Sequence, residues 1–511
     1  MVRKTDSKSL GRRDLFKGAA VAGAGMAAAG IFGGATPAWA QTPVPEEWDE
    51  ETDVVIVGAG GTGLAAAIEI LEAGGTAIIL EKSGVTGGTT ALSGGIIQAS
   101  ETPLQAELGF EYDTHEDHYQ YYIQAAEGIV DPELVRVLVD NSADNIEWLE
   151  AHGIEYTSLS GVNPIPSVDP ALMQALRIHA PRTTEEVPRG GAVHGLALAA
   201  SAEALGADIR FETPATALVR DPEKGVVGVK AASRAGEIHL RARKAVILAT
   251  SSFDRNEEMA RSFSPQQLWA IQKGGQATAI TSTGDGIKMA MAVGADLAGM
   301  GGTIGYAQPG IGAAVAGIWV NKHGQRFVNE DGHYAYKSRA AYQQEGSMAW
   351  AIFDDKVREQ AATVLGSTTD LEDEIAAGTV TRGNTLRALA NQLGINAAQL
   401  QATVELWNTD ADNGEDNLFG KTVGLQAIDE GPFYATPVYE YNLGSCGGVK
   451  INTSAQVIDV FGEVIPRLYA GGMVAGGFIG PYYPGSGTAV ASTVCFGRIA
   501  AQNALAEEAW E

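Results

Sequence analysis

The order of hydrophobic and polar positions in residues 53–82, DVVIVGAGGTGLAAAIEILEAGGTAIILEK, predicts three consecutive elements. The β-branched run Val54 to Val57 is typical of a buried strand. The Ala-, Leu- and Ile-rich segment after the glycines has the composition of a helix. A second apolar run, Ala77 to Leu80, is predicted to be a strand that ends at Glu81. This order predicts an α/β fold with a β-α-β unit near residue 53.

Two other segments have a clear period. Residues 226–248, VVGVKAASRAGEIHLRARKAVIL, alternate apolar and polar positions, which predicts antiparallel strands. Residues 131–152, DPELVRVLVDNSADNIEWLEAH, have helical periodicity.

The glycines between the first strand and helix have the spacing of a dinucleotide-binding turn. Gly58 allows the tight turn, Gly60 lets the backbone approach a pyrophosphate, and Gly63 lets helix and strand pack closely. Glu81 follows at the distance where a carboxylate accepts ribose hydroxyls. The glycine spacing alone is a weak signal, but strand, motif, helix, strand and acid occur here in order. The sequence therefore predicts a dinucleotide site.

A second glycine cluster, GGTTALSGG at residues 87–95, favours FAD over NAD. Its small and hydroxyl side chains can line a diphosphate and a ribityl chain, and an NAD domain has no need of them. The segment resembles one that the fumarate reductase and 3-ketosteroid dehydrogenase flavoproteins place over the flavin. Their covalent-flavin members have a histidine within it and this chain has threonines, so the resemblance implies non-covalent FAD.

The N-terminal segment has the features of an export signal. GRRDLFK at residues 11–17 precedes an apolar Ala/Gly-rich run at residues 18–34, and AWA at residues 38–40 follows. This order predicts a twin-arginine signal peptide, residues 1–40, cleaved after Ala40. The alternative is a membrane anchor, but the apolar run is shorter than the roughly 20 residues of a bilayer span. We therefore expect the mature protein in the periplasm or on another extracytoplasmic face.

Composition excludes several functional classes. The net charge of −27 over 511 residues repels phosphate backbones, so nucleic acid and anionic membranes are not expected partners. Two cysteines, Cys446 and Cys495, are too few for a four-cysteine iron–sulfur cluster or a disulfide scaffold. The histidines lack ligand spacing, so no metal site is predicted. If the protein transfers electrons, other proteins must carry them to and from it.

Several motifs together resemble the fumarate reductase and 3-ketosteroid dehydrogenase flavoproteins. They are KAVILATSSF at residues 244–253, STGDGIKMAMAVGA at 282–295, VIPRLYAGGMVAGG at 464–477 and YYPGSGTAVASTVCFGRIAAQNA at 482–504. The resemblance covers nearly the whole chain after residue 40. Two departures stand out: Ser251 and Ser252 replace glycines, and Met473 stands where many relatives have a glutamate.

The resemblance implies a Rossmann-like FAD-binding domain with an inserted α+β capping domain. The FAD-binding domain is expected at residues 47–298 and 444–511, and the capping or substrate domain at 299–443. The predicted cofactor-binding residues are Gly58, Gly60, Gly61, Gly63, Glu81, Lys82, Gly87, Gly88, Thr89, Thr90, Ser93, Gly94, Gly95, Ala217, Ala249, Thr250, Asp285, Gly472, Met473, Gly487, Thr488, Ala489 and Val490.

The cationic groups that clamp a dicarboxylate in fumarate reductases are missing. The region GMGGTIGYAQPGIGAAVAGIWV, residues 299–320, has no histidine, arginine or glutamate. Gly444 precedes SCGG, where fumarate reductases have a histidine, and their NRLGGNA arginine falls within YYPGSGTAV. An uncompensated buried carboxylate would cost several kcal/mol. Fumarate and succinate are therefore poor candidate substrates.

Phenols take the place of these clamps. The YPGPG motif of 3-ketosteroid dehydrogenases corresponds to Tyr483-Pro-Gly-Ser-Gly487, and Tyr334 follows RFVNE where fumarate reductases have a proton-donating arginine. We predict that Tyr334 exchanges a proton at the α-carbon of a ketone. Tyr483 and the Gly487 amide would stabilise the enolate oxygen. Tyr482 is the alternative to Tyr483.

Other candidates near this segment are expected to be structural. Arg326 and Glu330 are predicted to form an ion pair that fixes the loop, and His333 to point to solvent or to the edge of the cleft. Tyr306 is expected to be a packing residue. The cluster HYQYY at residues 118–122 can hold a helper residue, which the sequence does not identify.

The expected activity is FAD-dependent oxidation or reduction of a C–C bond next to a ketone in a bulky apolar substrate, such as a 3-ketosteroid ring. A membrane-linked cytochrome or quinone is the expected redox partner. One alternative is a periplasmic respiratory reductase of another activated alkene, such as an aryl-acrylate. A second is a flavin electron carrier without an alkene substrate.

Overall fold

The predicted unit at residues 53–82 forms the centre of the largest sheet. Strands β1 (Glu50–Val57) and β2 (Ala77–Leu80) pair in parallel, with Val54 opposite Ala77, and helix α1 (Gly61–Glu72) connects them. β1 also pairs in parallel with the strand Gly236–Leu248. The α/β fold class and the β-α-β unit are therefore confirmed.

The computed structural model describes residues 42–110, 112–273, 275–310, 317–361 and 370–510. The predicted signal peptide, residues 1–40, lies outside the described residues. Among those that are described, no helix is both long enough and apolar enough to cross a membrane.

The remaining strands fall into four sheets. They are β3 (Ile97–Gln98), β4 (Tyr156–Ser160), β5 (Ile178–Pro181), β6 (Asp208–Arg210), β7 (Ala215–Asp221), β8 (Gly225–Ser233), β9 (Gly236–Leu248), β10 (Leu297–Ala298), β11 (Thr303–Pro309), β12 (Ile318–Asn321), β13 (Ala349–Asp354), β14 (Thr381–Gly383), β15 (Phe433–Ser445), β16 (Gly448–Lys450), β17 (Gln456–Ile458), β18 (Val464–Ala470) and β19 (Ala475–Gly476).

The helices lie mostly between these strands. They are α2 (Gly88–Leu92), α3 (Pro103–Glu107), α4 (His115–Ala125), α5 (Pro132–Asp140), α6 (Ser142–Ala151), α7 (Gly190–Ala204), α8 (Glu257–Phe263), α9 (Pro265–Lys273), α10 (Asp285–Ala292), α11 (Tyr334–Tyr342), α12 (Asp355–Ala361), α13 (Glu372–Ala376), α14 (Leu386–Leu393), α15 (Ala397–Asn413) and α16 (Thr488–Ala506). Three 3₁₀ turns are Pro170–Met173, Glu345–Ser347 and Gly472–Val474.

The eight-stranded sheet has the order β17-β18-β9-β1-β2-β6, and β8 and β7 extend antiparallel from β9. Strands β8 and β9 confirm the antiparallel pair predicted for residues 226–248. The segment predicted to be helical at 131–152 is two helices, because Asn141 ends α5 and precedes α6.

A second sheet, β11-β15-β13-β12 with β14 beside β15, is antiparallel and comes entirely from residues 303–445. These strands occupy the segment predicted to be the capping domain. The small sheet β10-β16-β19 and the sheet β3-β5-β4 complete the fold. The exact domain division, 47–298 with 444–511 against 299–443, stays a prediction.

The C-terminal helix α16 returns the chain to the first β-α unit. It packs directly on α1. At Gly497 a Cβ atom would lie 2.9 Å from the Thr62 carbonyl oxygen, so the close approach of the two helices requires glycine there. Helix α16 thereby brings its own N-terminus, at residue 488, to the edge of the sheet where α1 begins.

Candidate active site

One continuous cavity runs from the β1–α1 turn to Tyr334 and Tyr483. Most of the predicted cofactor-binding residues line it. These are Gly58, Gly60, Gly61, Glu81, Lys82, Gly88, Thr89, Thr90, Ser93, Gly94, Gly95, Ala249, Thr250, Asp285, Met473, Gly487, Ala489 and Val490. The three residues predicted to be catalytic, Tyr334, Tyr483 and Gly487, also line it.

Four predicted residues lie directly behind the wall of this cavity. A Cβ atom at Gly63 would lie 1.9 Å from the Gly58 carbonyl oxygen, and one at Gly472 would lie 2.1 Å from Thr62 Oγ1. Gly87 is the left-handed residue that precedes α2, and the buried Thr488 bonds Tyr122. These residues shape the cavity wall without lining it.

Ala217 is not among the described residues that line the cavity. Strand β7 begins at Ala215, and Ala217 is opposite Lys230 in the β7–β8 pair. Pro214 and Ala215, just before and at the start of the strand, line the cavity instead. The cofactor-binding role of Ala217 itself stays a prediction.

The first turn of the cavity is built from backbone. Gly58 has φ of +109°, and a Cβ atom there would lie 2.4 Å from the Ala249 carbonyl oxygen. A Cβ atom at Gly60 would meet nothing within 4 Å, because Gly60 faces the open cavity. No side chain caps the N-terminus of α1 at Gly60. The first amides of this helix are therefore available to an anion.

Carboxylates and a lysine fix the next part of the wall. Glu81 accepts the amide protons of Ala59 (2.9 Å) and Ser83 (2.7 Å), so its position is held by backbone. Lys82 Nζ pairs with Asp285 Oδ2 at 2.6 Å and donates to Thr283 Oγ1 at 2.6 Å. Both carboxylates line the cavity.

These features fit a dinucleotide. The space in front of Gly60 is the volume that a side chain would otherwise fill, and the uncapped end of α1 faces it. Helix α16 presents a second uncapped N-terminus, at Gly487, to the same cavity. Ser251, which replaces a glycine of the resemblance, adopts φ of +62° and also lines the cavity. Covalent attachment is not tested by this geometry, so the non-covalent binding of FAD stays a prediction.

Aromatic side chains form the other end of the cavity. The Tyr334 hydroxyl accepts a hydrogen bond from Ser486 Oγ at 3.1 Å. The Tyr334 ring lies 5.1 Å from the Tyr306 ring, 6.3 Å from Tyr483 and 4.2 Å from His333, measured between centroids. Tyr334 is the first residue of α11, so the helix direction fixes where its ring points.

The loop that carries Tyr483 is held with the start of α16. The Tyr483 hydroxyl accepts the Ala489 amide proton at 2.9 Å. Gly487 has φ of +102°, and a Cβ atom there would lie 2.6 Å from the Gln98 amide nitrogen. Both the left-handed backbone and the close approach of β3 therefore require glycine.

Both phenols are neutral donors in this environment. Burial raises the pKa of Tyr334 above its ordinary value, and the Ser486 hydrogen bond only partly offsets the rise. Burial also raises the pKa of Tyr483, and the nearby Tyr334 adds to it. Because each hydroxyl oxygen accepts one hydrogen bond, its own proton stays free to be donated into the cavity.

Lys82 is the only cationic side chain among the described residues that line this cavity, and Asp285 neutralises it. Gly444, at the position where fumarate reductases have a histidine, lines the cavity with Leu443 and Ile304. The reacting end is therefore apolar and phenolic, with no unpaired cation in its described lining.

The ion pair predicted between Arg326 and Glu330 is confirmed. Arg326 Nη2 lies 2.8 Å from Glu330 Oε2 and 2.9 Å from Asp416 Oδ2, and all three residues are buried. Glu330 Oε1 also accepts the Trp319 amide proton at 2.8 Å. This cluster ties the loop before α11 to β12 and so supports the start of the helix.

The expectation that His333 points to solvent or to the cleft edge is wrong. His333 is 2% exposed, its ring packs on Tyr334, and its Nδ1 accepts the Ala335 amide proton at 3.3 Å as the N-cap of α11. Burial lowers its pKa to about 3, so the ring stays neutral. A histidine beside charged residues suggested exposure, but the ring is buried because it packs on Tyr334 and caps α11.

Three residues of the site escaped sequence reasoning. Ser486 lay within the recognised YPGSG motif but was not assigned a role. Tyr121, from the HYQYY cluster, donates from its hydroxyl to the Pro484 carbonyl and stacks under Arg177. Asp254 lines the cavity and is 1% exposed. The tyrosine cluster was a usable signal for Tyr121, whereas Asp254 had none. Tyr482 lines a second cavity, which Tyr483 also lines, and the Arg339 guanidinium lies over the Tyr482 ring.

Comparison with known proteins supports these features. The FAD binding domain family matches residues 53–490. Digoxin reductase of Eggerthella lenta is 29% identical over 99% of this chain and 98% of its own. Fumarate reductase (cytochrome) of Shewanella frigidimarina is 31% identical over 89% of this chain and 77% of its own. The structure of 3-ketosteroid-Δ4-(5α)-dehydrogenase from Rhodococcus jostii RHA1, in complex with 4-androstene-3,17-dione, is 29% identical, with a TM-score of 0.79 over 90% of this chain and 98% of its own.

Proposed function

This chain belongs to the FAD binding domain family and is an FAD-dependent oxidoreductase, and we propose that it reduces a C=C bond adjacent to a ketone in a bulky apolar substrate. The observation that carries the proposal is the pairing of Tyr334 and Tyr483 at the end of the cavity, with no unpaired cation in its described lining. A polycyclic enone of the 3-ketosteroid type fits this apolar and phenolic end.

FAD, when bound, supplies a hydride to the β-carbon of the substrate. The chain's residues do the rest. Tyr483 and the Gly487 amide at the start of α16 can donate to the ketone oxygen, where negative charge accumulates as the C=C bond is reduced. Their hydrogen bonds stabilise the enolate without a cation.

Tyr334 would deliver the proton to the α-carbon. Its proton is free because its oxygen accepts the Ser486 hydroxyl, and Ser486 can return a proton to the phenolate left behind. A raised pKa suits this direction of transfer, because the phenol stays protonated at any working pH. The opposite reaction would need a phenolate base, which burial disfavours. Reduction is therefore the favoured direction.

The relatives support a reductase of this class. Digoxin reductase and the 3-ketosteroid dehydrogenase are named after steroid-type substrates. Both proteins match almost the whole of this chain. The cytochrome-linked fumarate reductase supports a redox protein as electron donor. We propose a membrane-linked cytochrome or quinone for that role, with the protein exported by the twin-arginine pathway to the periplasm.

The discriminating experiment is anaerobic reoxidation of the photoreduced flavin by a substrate panel. We expect 3-keto-4-ene and 3-keto-1-ene steroids to reoxidise it, and aryl-acrylates and fumarate to leave it reduced. Reaction with aryl-acrylates and with no enone would favour the alternative, a respiratory reductase of another activated alkene. No reaction with any alkene would favour the electron-carrier alternative.

A further inference from the structure

Three carboxylates line the FAD cavity, and two of them are fully partnered. Glu81 accepts two backbone amide protons, and Asp285 pairs with Lys82. The third, Asp254, forms no salt bridge with any described residue. A carboxylate without a cation is unusual inside a cavity built for an anionic dinucleotide.

The surroundings of Asp254 are polar but nearly neutral. Gln267 Nε2 lies 3.4 Å from Asp254 Oδ1, and the Ser445 amide also donates to the carboxyl. The nearest cation is Arg255, but its Nη2 donates to the carbonyl oxygens of Gln276 and Thr278. Asp254 itself is 1% exposed. These groups therefore compensate a full negative charge on Asp254 only in part.

Asp254 lies at the reacting end of the cavity. Burial raises the pKa of the Cys446 thiol, and the nearby Asp254 carboxylate adds to the rise. Asn442 Nδ2 donates to the Asp254 carbonyl oxygen at 3.5 Å, and Asn442 Oδ1 accepts the Gly444 amide proton at 2.9 Å. Gly444, two residues before Cys446, lines the cavity with Asp254, Tyr334 and Tyr483. Asp254 is therefore tied to the part of the wall that in the proposed function holds the redox-active ring.

We infer that Asp254 is a redox-linked protonation site, whose carboxylate takes up a proton when the bound flavin is reduced and releases it on reoxidation. Two electrons from an external one-electron reductant and one proton convert the oxidised flavin to its anionic reduced form. A second proton, from water, converts the Asp254 carboxylate to the neutral carboxyl. Charge entering the cavity with the electrons is thereby offset at the cavity wall.

The physical cause is repulsion between like charges in a dry site. A new negative charge near a buried carboxylate favours the protonated form. Burial already raises the pKa of Asp254 to about 7, partly offset by the Ser445 amide and by Arg255. A further rise on reduction opens a pH window, starting near neutrality, in which only the reduced protein holds this proton. In this role Asp254 does not react with the substrate; its protonation changes the reduction potential of the bound cofactor.

The test is potentiometric titration of the FAD-loaded protein from about pH 5.5 to pH 9. Wild type should take up one proton more per two electrons than Asp254→Asn within that window. For a two-electron couple, the midpoint potential of wild type should therefore fall by about 30 mV more per pH unit than the midpoint potential of Asp254→Asn. Glu440→Gln is the matched control, because Glu440 is also buried with a pKa raised to about 7 by burial, yet it does not line the cavity. It should titrate like wild type.

An equal proton count in wild type and Asp254→Asn would overturn the inference. If Asp254→Asn fails to retain FAD, redox difference infrared spectroscopy of wild type decides. Reduction should produce the C=O stretch of one protonated carboxyl near neutral pH, and absence of that band would equally overturn it. Neither measurement uses a substrate. The inference rests on the proposed function for the assignment of the reacting end, but the two can fail separately. If the enones do not reoxidise the flavin and the extra proton is still observed, only the proposed function is refuted.

Discussion

The two ends of the cavity are built from different parts of the chain. At the β1–α1 end the wall is mostly backbone, because Gly58, Gly60 and Gly61 have no side chains to fill the cavity and the first amides of α1 face it. At the other end, side chains from two distant segments meet, with Tyr334 on α11 and Tyr483 before α16. Where the wall is backbone, an added side chain would occupy the space of the cofactor or clash with the fold. Where the wall is side chains, function depends on a single hydroxyl of each tyrosine. The two ends should therefore fail in different ways when mutated.

The largest effect is expected at the backbone end. Gly63→Ala would bring a Cβ atom to 1.9 Å from the Gly58 carbonyl oxygen, so helix and strand must separate. We expect destabilisation beyond the roughly 1–3 kcal/mol usual for overpacked cores, and no FAD-loaded protein. Gly60→Ala is the control, since its Cβ would meet only open cavity. It should fold normally and lose FAD affinity, as measured by denaturant unfolding and FAD titration. Equal stability of the two variants would contradict this account of the turn.

The support of the tyrosine end is the next most sensitive feature. Arg326→Met leaves Asp416 buried without its cation and Glu330 with only the more distant Lys421, at 3.9 Å, which should cost about 3–5 kcal/mol of unfolding free energy. Arg182→Met removes the exposed pair with Glu155 and should leave the unfolding free energy almost unchanged, because solvent screens this pair. Chemical denaturation of both variants measures the difference. If both cost the same, the Arg326 cluster is not the support of this loop.

The oxyanion contact should affect the reaction rate more than it affects stability. Tyr483→Phe removes a hydroxyl that the Ala489 amide orients, and we expect kcat on an enone to fall by about 10²–10³. Tyr482→Phe, its neighbour outside the FAD cavity, should leave kcat unchanged. Steady-state kinetics with a viologen donor would distinguish the two. A larger loss in the Tyr482 variant would reverse the assignment.

The smallest effect is a pH dependence of stability behind the tyrosine end. Burial raises the pKa of Glu440 to about 7, above its unfolded value of 4.5, so the folded state binds the extra proton between these two values. Its contribution to stability is therefore present below pH 4.5 and is lost as the pH rises to about 7. Glu440→Gln should gain about 1–3 kcal/mol relative to wild type between pH 5 and pH 8, measured by urea unfolding. A pH-independent difference would show that Glu440 does not titrate in this range.

The same contrast explains what the sequence could predict. The glycine spacing, the strand at residues 54–57 and Glu81 lie within 30 residues, so local rules suffice to predict the fold class and the dinucleotide end. Tyr334 and Tyr483 were reached only through a resemblance, because no local pattern brings residues so far apart in the chain together. Asp254 and the burial of His333 depend on tertiary packing, and neither has a sequence signal.

Smaller differences have equally local causes. Pro214 and Ala215 line the cavity where the sequence suggested Ala217, and the predicted helix at residues 131–152 is interrupted at Asn141. Both concern where an element begins or ends, which hydrophobic periodicity determines poorly. The Arg326–Glu330 pair was predictable, since both residues flank one tight loop, whereas its third member, Asp416, lies 90 positions further along the chain.

The most direct test of the central claim is the single-turnover rate of enone reduction by photoreduced Tyr334→Phe. Loss of the proton donor should slow reoxidation by about 10²–10⁴ while FAD affinity is retained. Tyr306→Phe, which keeps the ring that packs on Tyr334, should react at the wild-type rate. A Tyr334→Phe variant that reoxidises as fast as wild type would contradict the assignment of Tyr334 as the proton donor.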